Sequence, residues 1–317
     1  MVEYPEANEL KKMKERIMAR AKKKTDKKGF SLRKIISILL FLMVVAYFSV
    51  PGFGHIVRYY GLELQDKVLE MTGMAPHYDN LMLGAPRGQE HKITRVFNRE
   101  GYALGYSEGY EQPLWVTYRL TADELTGPRC RRTDDFREDP RILTRSADPD
   151  DYKGTGCDRG HLAPAADMAW NEKVMSESFY MSNMSPQIAS VNRGIWNELE
   201  QAVRDLAKQE QELFIVTGPI FEEGKDIRTI GVKNKVAVPH AYYKVVYDMT
   251  PPERMMAFIV PNYDTSKKVT DCIVTVRKVE KETGLTFFPE LPEEKAETLK
   301  NMPRTNWVIK KSAFRKH

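Results

Sequence analysis

Cysteine is scarce in this sequence. Only three cysteines occur among 317 residues, Cys130, Cys157 and Cys272, and their spacing fits no metal-knuckle pattern. The composition therefore gives no support for a structural zinc site. In an oxidising compartment Cys130 and Cys157 could form a disulfide and leave Cys272 unpaired, a hypothesis that depends on export of the chain.

The chain also lacks a large charge of one sign outside its beginning. Residues 1–34 contain twelve Lys/Arg against five Asp/Glu, whereas the rest of the chain contains 37 against 39. The basic balance of the whole chain therefore belongs to its N-terminal tail. Because the remainder is near neutral, net charge alone does not argue for binding to nucleic acid.

A long hydrophobic run is missing as well. The longest apolar stretch without a charge, residues 35–50, has sixteen residues, and a membrane-spanning helix needs about 20. Continued past Pro51 and Gly52, it reaches spanning length at Val57. We therefore predict an uncleaved transmembrane anchor over residues 35–57 that contacts the lipid bilayer; a cleaved signal peptide and a buried core helix are the alternatives.

The basic tail sets the predicted orientation, because positive charge prefers the cytoplasmic side of a membrane. Residues 1–34 are then a cytoplasmic tail. The chain is predicted to be a single-pass protein of the cell membrane, with the residues after the anchor on the periplasmic or extracellular side. Three further segments follow the anchor in this prediction: a linker over 58–91, a folded domain over 92–295 and a basic tail over 296–317.

Hydrophobic periodicity predicts an α+β fold. A mixed or antiparallel sheet is expected to form the core, with helices on its flanks, because alternating hairpin patterns occur together with amphipathic stretches. The segment 102–120 is predicted to be a hairpin, 171–180 a short helix and 181–187 a loop. An amphipathic helix is predicted to begin near Asn192, which would be close to its N-cap.

The stretch TGCDRGHLAPAADMAW, residues 155–170, holds the strongest candidate for chemistry. A dinucleotide-binding loop is excluded because Arg159 stands where the G-x-G-x-x-G pattern needs glycine. A zinc pair of Cys157 and His161 would need a helix, which the surrounding glycines and Pro164 disfavour. The remaining reading is a site that cuts phosphodiesters: His161 could take a proton from water, and Arg159 could neutralise phosphate charge.

Asn192 and Glu200 suggest a hard metal ion. On a straight helix eight residues separate them by about 12 Å along the axis, too far for both side chains to bind one ion directly. If Asn192 is a direct ligand, Glu200 must act through coordinated water, an arrangement that suits Mg²⁺. The alternatives without a metal are an N-cap role for Asn192 and a solvated helix position for Glu200.

Taken together, D-R-G-H at 158–161 and N-R-G-x-W-x-x-x-E at 192–200 resemble the DNA/RNA non-specific endonuclease family, a ββα-metal group, over about residues 95–290. The resemblance implies a ββα-metal motif in the fold and a role for each matching residue. His161 is implied to be the general base, Asn192 the Mg²⁺ ligand (with Mn²⁺ as a possible substitute), Glu200 the residue holding the water shell, Arg159 the phosphate stabiliser, and Asn183 a supporting hydrogen-bond partner.

Other positions are less well defined by the resemblance. Asp158 is expected to orient its loop rather than to react. A further family arginine corresponds to either Arg131 or Arg132, and the sequence does not distinguish the two. Asp167 follows the pattern of the bacterial members, which predicts a bacterial origin.

The expected function is therefore Mg²⁺-dependent hydrolysis of DNA and RNA, recognised through the phosphate backbone and leaving 5′-phosphate ends; a homodimer is possible. Two rival functions stay open at this stage. One is a membrane-tethered component that binds or takes up nucleic acid with weak or no catalysis. The other is a phosphodiesterase acting on small or lipid-linked phosphates.

Overall fold

The structure, a computed structural model, describes residues 35–222, 224 and 226–302. The predicted cytoplasmic tail, 1–34, lies outside the described residues. The chain divides into two compact units, residues 1–67 and 68–317. The predicted C-terminal tail, 296–317, is described only as far as residue 302, and its first residues belong to a helix.

Two helices occupy the described start of the chain. The described part of α1 covers residues 35–49, and α2 spans Phe53–Met71. Between them the chain turns at Gly52, whose φ of 82° is in the left-handed region that favours glycine. The fifteen residues of α1 extend only about 22 Å, and α2 is amphipathic, with charged residues that include Arg58 and Asp66.

This break corrects the prediction of a transmembrane anchor over 35–57. Within residues 35–222, 224 and 226–302, no helix combines the length and the apolar character that a bilayer crossing requires. The prediction was wrong because it carried the apolar run of α1 through the Pro-Gly turn into α2, as though the two segments were one helix.

A seven-stranded antiparallel sheet forms the core of the second unit, in the order β1-β2-β3-β6-β9-β10-β11. Its strands are β1 Arg95–Asn98, β2 Ala103–Ser107, β3 Gln112–Thr121, β6 Glu212–Ile220, β9 Ala241–Asp248, β10 Arg254–Pro261 and β11 Ile273–Val274. The hairpin predicted over 102–120 is confirmed as β2 and β3. The α+β class and the antiparallel sheet are confirmed as well.

Both faces of this sheet are buried, as the alternation along β9 demonstrates. Tyr242 and Val246 pack into the core on one face, and Tyr243 and Val245 into the core on the other. Because successive side chains of a strand point to opposite faces, an apolar run such as this one requires a cover on each side. The sheet is therefore the middle layer of three.

Helices supply the two outer layers. On one face lie α3 Ala122–Thr126, α4 Glu172–Ser178 and α6 Asn197–Glu210. The apolar side of α6, with Leu199, Val203 and Leu206, packs into the core there, and each such side chain stabilises the fold by ~1.5–3 kcal/mol. On the opposite face lie α7 Val276–Thr283 and α8 Glu293–Lys300.

Short polar contacts fix where the helices begin. Thr121 caps α3 through a capping box with Glu124, and the Asn171 side chain accepts from the backbone N–H groups of residues 173 and 174 at the start of α4. The short helix predicted over 171–180 is thereby confirmed. The chain leaves α7 at Gly284, which adopts the left-handed conformation.

A two-stranded ribbon lies beside the main sheet and carries the D-R-G-H stretch. It pairs β4 Cys157–His161 with β5 Met184–Ile188, and β7 Thr229–Ile230 pairs with β8 Val236–Ala237 in a second small ribbon. The predicted loop over 181–187 is in fact a short turn followed by β5. Charged residues at 158–159 are unusual in a strand, but in a narrow ribbon both side chains reach partly open surroundings.

The cysteines are not paired in the structure. All three thiols are free, so the Cys130–Cys157 disulfide is absent. Cys157 packs at the start of β4 with Tyr152 and Met184, whereas Cys130 packs against a different buried group that includes Ala169 and Phe179. The two thiols therefore belong to different parts of the core.

Candidate active site

The ribbon presents the residues of the D-R-G-H stretch in a fixed register. Asp158 lies opposite Gln187, Arg159 opposite Pro186 and His161 opposite Met184. The buried Gln187 side chain lies against Gly160, where an added Cβ would be 2.3 Å from its side-chain oxygen and 2.9 Å from its Cβ. This position therefore has space only for glycine, and it separates the imidazole from the guanidinium.

His161 ends β4 with its ring between two phenyl groups. The imidazole packs edge-to-face against Phe179 and Phe136, with ring centroids 4.8 and 5.6 Å away. Its Nε2 is buried and has no hydrogen-bond partner among the described residues. Burial, together with the charges of Arg132 and Arg159, lowers the pKa of His161 to about 3. The imidazole is therefore neutral at pH 7 and can accept a proton.

Two guanidinium groups lie beside this imidazole. Arg159 stacks over the Phe136 ring, with its Cζ 4.0 Å from the centroid, and Arg132 stacks over Phe179 at 4.8 Å. Both arginines act electrostatically on His161. The sequence could not choose between Arg131 and Arg132, and the structure places Arg132 against the ring that contacts the imidazole.

Asn183 is completely buried and clamps the chain just after the histidine. Its side-chain oxygen accepts from Ala163 N–H at 2.9 Å, and its amide donates to the carbonyls of Ala163 and Ser178 at 2.9 and 2.8 Å. All these contacts are to backbone within the fold. Asn183 therefore supports the turn that follows His161 and does not itself face an open site.

Asn192 is joined to β4 through Asp158. The Asn192 amide donates to Asp158 Oδ2 at 2.9 Å, and the neighbouring Arg193 donates to both carboxylate oxygens at 2.8 Å. Burial alone would raise the pKa of Asp158, but hydrogen bonds from Arg193 and Asn192 hold it below its usual value. At ~3.3 Å per strand residue, this contact lies within ~10 Å of His161 along β4.

The segment between Asn192 and Glu200 is not one straight helix. After α5 Ala189–Val191, a π-helical turn spans Asn192–Trp196, and Gly194 within it has non-helical backbone angles. Such turns often occur at functional sites. The 12 Å separation expected from ideal helix geometry therefore does not apply, and α6 begins five residues later than the predicted start.

Trp196 anchors this kinked segment against the sheet and the ribbon. Its ring packs against Tyr242, with centroids 5.5 Å apart. The Tyr242 hydroxyl in turn donates to the carbonyl of Pro186 at 2.9 Å and lies 2.8 Å from the Ser185 hydroxyl, so it reaches β5. The antiparallel strands β4 and β5 are followed along the chain by helix α6, and Tyr242 connects β5 to Trp196 just before that helix. This is the ββα arrangement that the resemblance implied.

Glu200 lies in the first turns of α6 among charged residues that the sequence reasoning did not identify. Arg204, one turn further, makes an ion pair with buried Asp167 at 3.0 Å. Lys244 on β9 is fully buried, has no hydrogen-bond partner among the described residues, and lies 4.9 Å from the centre of the Trp196 ring. Burial raises the pKa of Glu200 to about 7, although Lys244 and Arg204 oppose the shift.

Two signals could have revealed these neighbours. Arg204 stands four residues after Glu200, which puts both side chains on the same face of a helix. Lys244 interrupts the otherwise apolar strand sequence Tyr-Tyr-Lys-Val-Val-Tyr, and a buried lysine is rare without a reason. Only the fold shows that the charges at both positions act on the Glu200 carboxylate.

The donor set fits a hard cation with few protein ligands. The described residues contain no cluster of three or more His, Cys, Asp or Glu side chains suited to a metal ion. The side-chain nitrogen of Asn192 donates to Asp158, so the side-chain oxygen of Asn192 is left for a cation. An oxygen ligand together with a nearby carboxylate suits Mg²⁺, which keeps most of its waters, and suits Zn²⁺ poorly.

Comparison with known proteins agrees with this fold and site. The family model for the DNA/RNA non-specific endonucleases matches residues 85–294, and the chain therefore belongs to that family. It is a nuclease of the hydrolase class, and its substrates are nucleic acids. This family assignment also weighs against the two rival functions, a binding component without catalysis and a small-molecule phosphodiesterase.

Individual relatives cover most of the second unit. Human mitochondrial endonuclease G is 34% identical over 212 residues, covering 63% of this chain and 71% of the relative. Nuclease C1 of Cunninghamella echinulata var. echinulata is 39% identical over 208 residues, covering 61% and 82%. A solved structure of the EndoG/EndoGI complex superposes with a TM-score of 0.61 at 31% identity, covering 68% of this chain and 92% of that one.

These relatives correct two further predictions. Several are named as mitochondrial nucleases, among them the human endonuclease G and the mitochondrial nuclease of Saccharomyces cerevisiae. Together with the lack of a spanning helix in the described residues, this contradicts the predicted location as a single-pass protein of the cell membrane. The predicted bacterial origin finds no support either, because these relatives are eukaryotic.

Proposed function

We propose that this chain is a Mg²⁺-dependent endonuclease that hydrolyses both DNA and RNA with His161 as its general base. The observation that carries the proposal is the surroundings of that imidazole: it is neutral, lies between two phenyl rings, and has two guanidinium groups beside it. A neutral imidazole beside fixed positive charge can activate water next to a phosphate.

The two ring nitrogens of His161 take different roles in this proposal. Nε2 is buried and has no hydrogen-bond partner among the described residues, so we assign the role of proton acceptor to Nδ1, the other ring nitrogen. The turn after His161 is clamped by buried Asn183, and the His161 ring itself packs against Phe136 and Phe179, which restricts its orientation. Such fixed orientation lowers the entropic part of the barrier.

Arg159 and Arg132 bind the phosphate in this proposal. Their planar groups are held by stacking on Phe136 and Phe179, so little side-chain freedom is lost when a diester binds. A bound diester also offsets their positive charge, which raises the pKa of His161 from about 3 towards the range in which it is an efficient base.

In this proposal Asn192 would hold the cation through its carbonyl oxygen, and Glu200 would do so through water. A bound Mg²⁺ would supply positive charge that offsets the negative charge developing as the phosphodiester is cleaved. Since the proposed contacts to nucleic acid are all to its sugar–phosphate backbone, we expect little preference for base sequence. Cleavage of the bond to the 3′ oxygen is expected to leave products with 5′-phosphate ends. Mn²⁺ offers the same oxygen chemistry and is expected to substitute. A homodimer stays a prediction.

The test is plasmid digestion by the wild type and by His161→Ala, with and without Mg²⁺. Loss of the general base is expected to lower kcat by ~10²–10⁴-fold, and a chelator is expected to abolish cleavage by the wild type. His77→Ala is the matched control, because its side chain is 91% exposed and lies outside the site. Near-full activity of a folded His161→Ala variant would defeat the assignment.

A further inference from the structure

Asp158 receives hydrogen bonds from two consecutive residues of the kinked segment. Asn192 Nδ2 and Arg193 Nε both donate to Oδ2, at 2.9 and 2.8 Å, while Arg193 Nη2 donates to Oδ1 at 2.8 Å. Both carboxylate oxygens are thus engaged, and the carboxylate is mostly shielded from solvent at 20% exposure.

The chemistry of a carboxylate determines which way the Asn192 amide faces. An ionised carboxylate only accepts hydrogen bonds, so it can contact the NH₂ group of a carboxamide and not its oxygen. The oxygen of Asn192 is consequently turned away from Asp158. The oxygen and the NH₂ group of a carboxamide are nearly equal in shape. Without the contact to Asp158 the amide could rotate, and it would then present its hydrogens to a cation.

The guanidinium of Arg193 holds the carboxylate in the plane that this contact requires. A bidentate Arg–carboxylate pair has a defined geometry, unlike a pair made by the point charge of lysine. The Arg193 side chain is 73% exposed, so the ion pair adds little to the free energy of unfolding. Its contribution is instead to fix the orientation of a side chain, at a site where one residue is the single direct protein ligand.

We propose that Asp158 and Arg193 are positioning residues that orient the Asn192 carboxamide so that its oxygen faces the cation. The inference rests on the proposed function, in which Asn192 is the direct ligand. Neither residue is assigned contact with the reacting atoms. Residues that orient a metal ligand typically change metal affinity by ~10–100-fold when they are removed.

The experiment measures Mn²⁺ binding to the full chain without nucleic acid, by titration followed with electron paramagnetic resonance. Asp158→Asn is expected to weaken Mn²⁺ binding by at least ~10-fold, because an amide at 158 can donate to the Asn192 oxygen and hold it in the wrong direction. Arg193→Gln removes the bidentate contact and is expected to weaken binding by a few-fold, with Arg193→Lys no better than Arg193→Gln.

Two controls make the outcomes distinguishable. Arg119→Gln removes a half-exposed arginine paired with Glu212 on the main sheet, and it should leave Mn²⁺ affinity unchanged. Asn192→Ala tests the proposed function itself and should abolish specific binding. If Asn192→Ala binds Mn²⁺ as the wild type does, the metal assignment is wrong and the inference is lost with it.

The inference alone is overturned if Asn192→Ala abolishes binding while Asp158→Asn and Arg193→Gln both bind Mn²⁺ within twofold of the wild type. Thermal unfolding of each variant checks that the fold is retained. Arg193→Gln keeps the test valid even if Asp158→Asn fails to fold, because the Arg193 side chain is largely in solvent.

Discussion

The two faces of the central sheet both bury charged side chains, but they satisfy them differently. On the face covered by α7 and α8, Glu280 accepts from Lys300 at 2.8 Å, from Arg277 at 2.5 Å and from the backbone of Phe287 at 2.9 Å. On the face covered by α6, Lys244 has no hydrogen-bond partner among the described residues, and Glu200 has a raised pKa.

The difference separates a structural cluster from a functional one. Three donors complete the carboxylate of Glu280, so that cluster holds α7 and α8 together in a single arrangement. Around Glu200 the charges are near one another but not fully hydrogen-bonded, which costs stability. Perturbed ionisable groups concentrate at functional sites for this reason. The candidate site lies on the face whose charges are left incomplete.

The largest effect in this comparison is expected from Glu280→Gln. It leaves the buried ammonium of Lys300 without a full counter-charge, and breaking a buried pair in this way typically lowers the free energy of unfolding by ~3–5 kcal/mol. Chemical denaturation measures the change, and kcat of the remaining folded protein should not move. Glu282→Gln on the same helix, in an exposed pair with Lys278, should cost under ~1 kcal/mol. If Glu280→Gln and Glu282→Gln lose equal amounts of unfolding free energy, the distinction between the two clusters is wrong.

A smaller effect of the opposite kind is expected from Glu200→Gln. Removal of the carboxylate should lower nuclease activity by ~10–100-fold, the usual cost of losing a residue that orients metal-bound water. The free energy of unfolding at pH 8 should stay the same or rise, because a poorly satisfied buried charge is removed. Glu198→Gln, on the exposed side of the same helix, serves as the control in both assays. A strongly destabilised Glu200→Gln would place this residue in the structural class.

A third contrast concerns pH. Burial raises the pKa of Glu200 to about 7, so the folded protein binds more protons than the unfolded chain between pH 4.5 and 7, and this residue lowers stability as pH rises through that window. The pKa of His161 is lowered to about 3, so that residue lowers stability as pH falls from 6.5 towards 3.

Melting temperatures measured between pH 4 and pH 7.5 test these opposite slopes. The melting temperature of Glu200→Gln minus that of the wild type should be larger at pH 7.5 than at pH 4.5. His161→Gln should lose less stability than the wild type does on acidification. His77→Gln, with its exposed ring, should follow the wild-type curve. If both site variants shift the curve in the same direction, the assigned environments are wrong.

The sequence predicted the parts of the molecule in which local pattern and chemistry agree. The alternation on β2 and β3, the Asn171 cap of α4 and the amphipathic spacing of α6 each follow from short-range rules. The D-R-G-H and N-R-G-x-W-x-x-x-E motifs were sufficient to identify the family. These features depend on residues close together along the chain.

The features that the sequence did not predict depend on contacts between distant segments. The β4 strand forms because β5 pairs with it, although its charged residues disfavour a core strand. The π-helical turn at Asn192–Trp196 bends a pattern that reads as one helix. Lys244 acts on Glu200 only because the fold brings β9 close to the segment that contains Trp196, whose ring centre is 4.9 Å from the Lys244 ammonium. In each case tertiary packing overrides the local preference.

The narrow gap at Gly160 restricts how this nuclease can change over generations. A methyl group there would lie within 2.9 Å of three atoms of the buried Gln187 side chain on the partner strand, so that side chain would have to shift. A larger residue at this position therefore requires a change in the packing of the ribbon. The proposed proton acceptor and the proposed anion-binding group are thus separated by a residue that takes no part in the reaction.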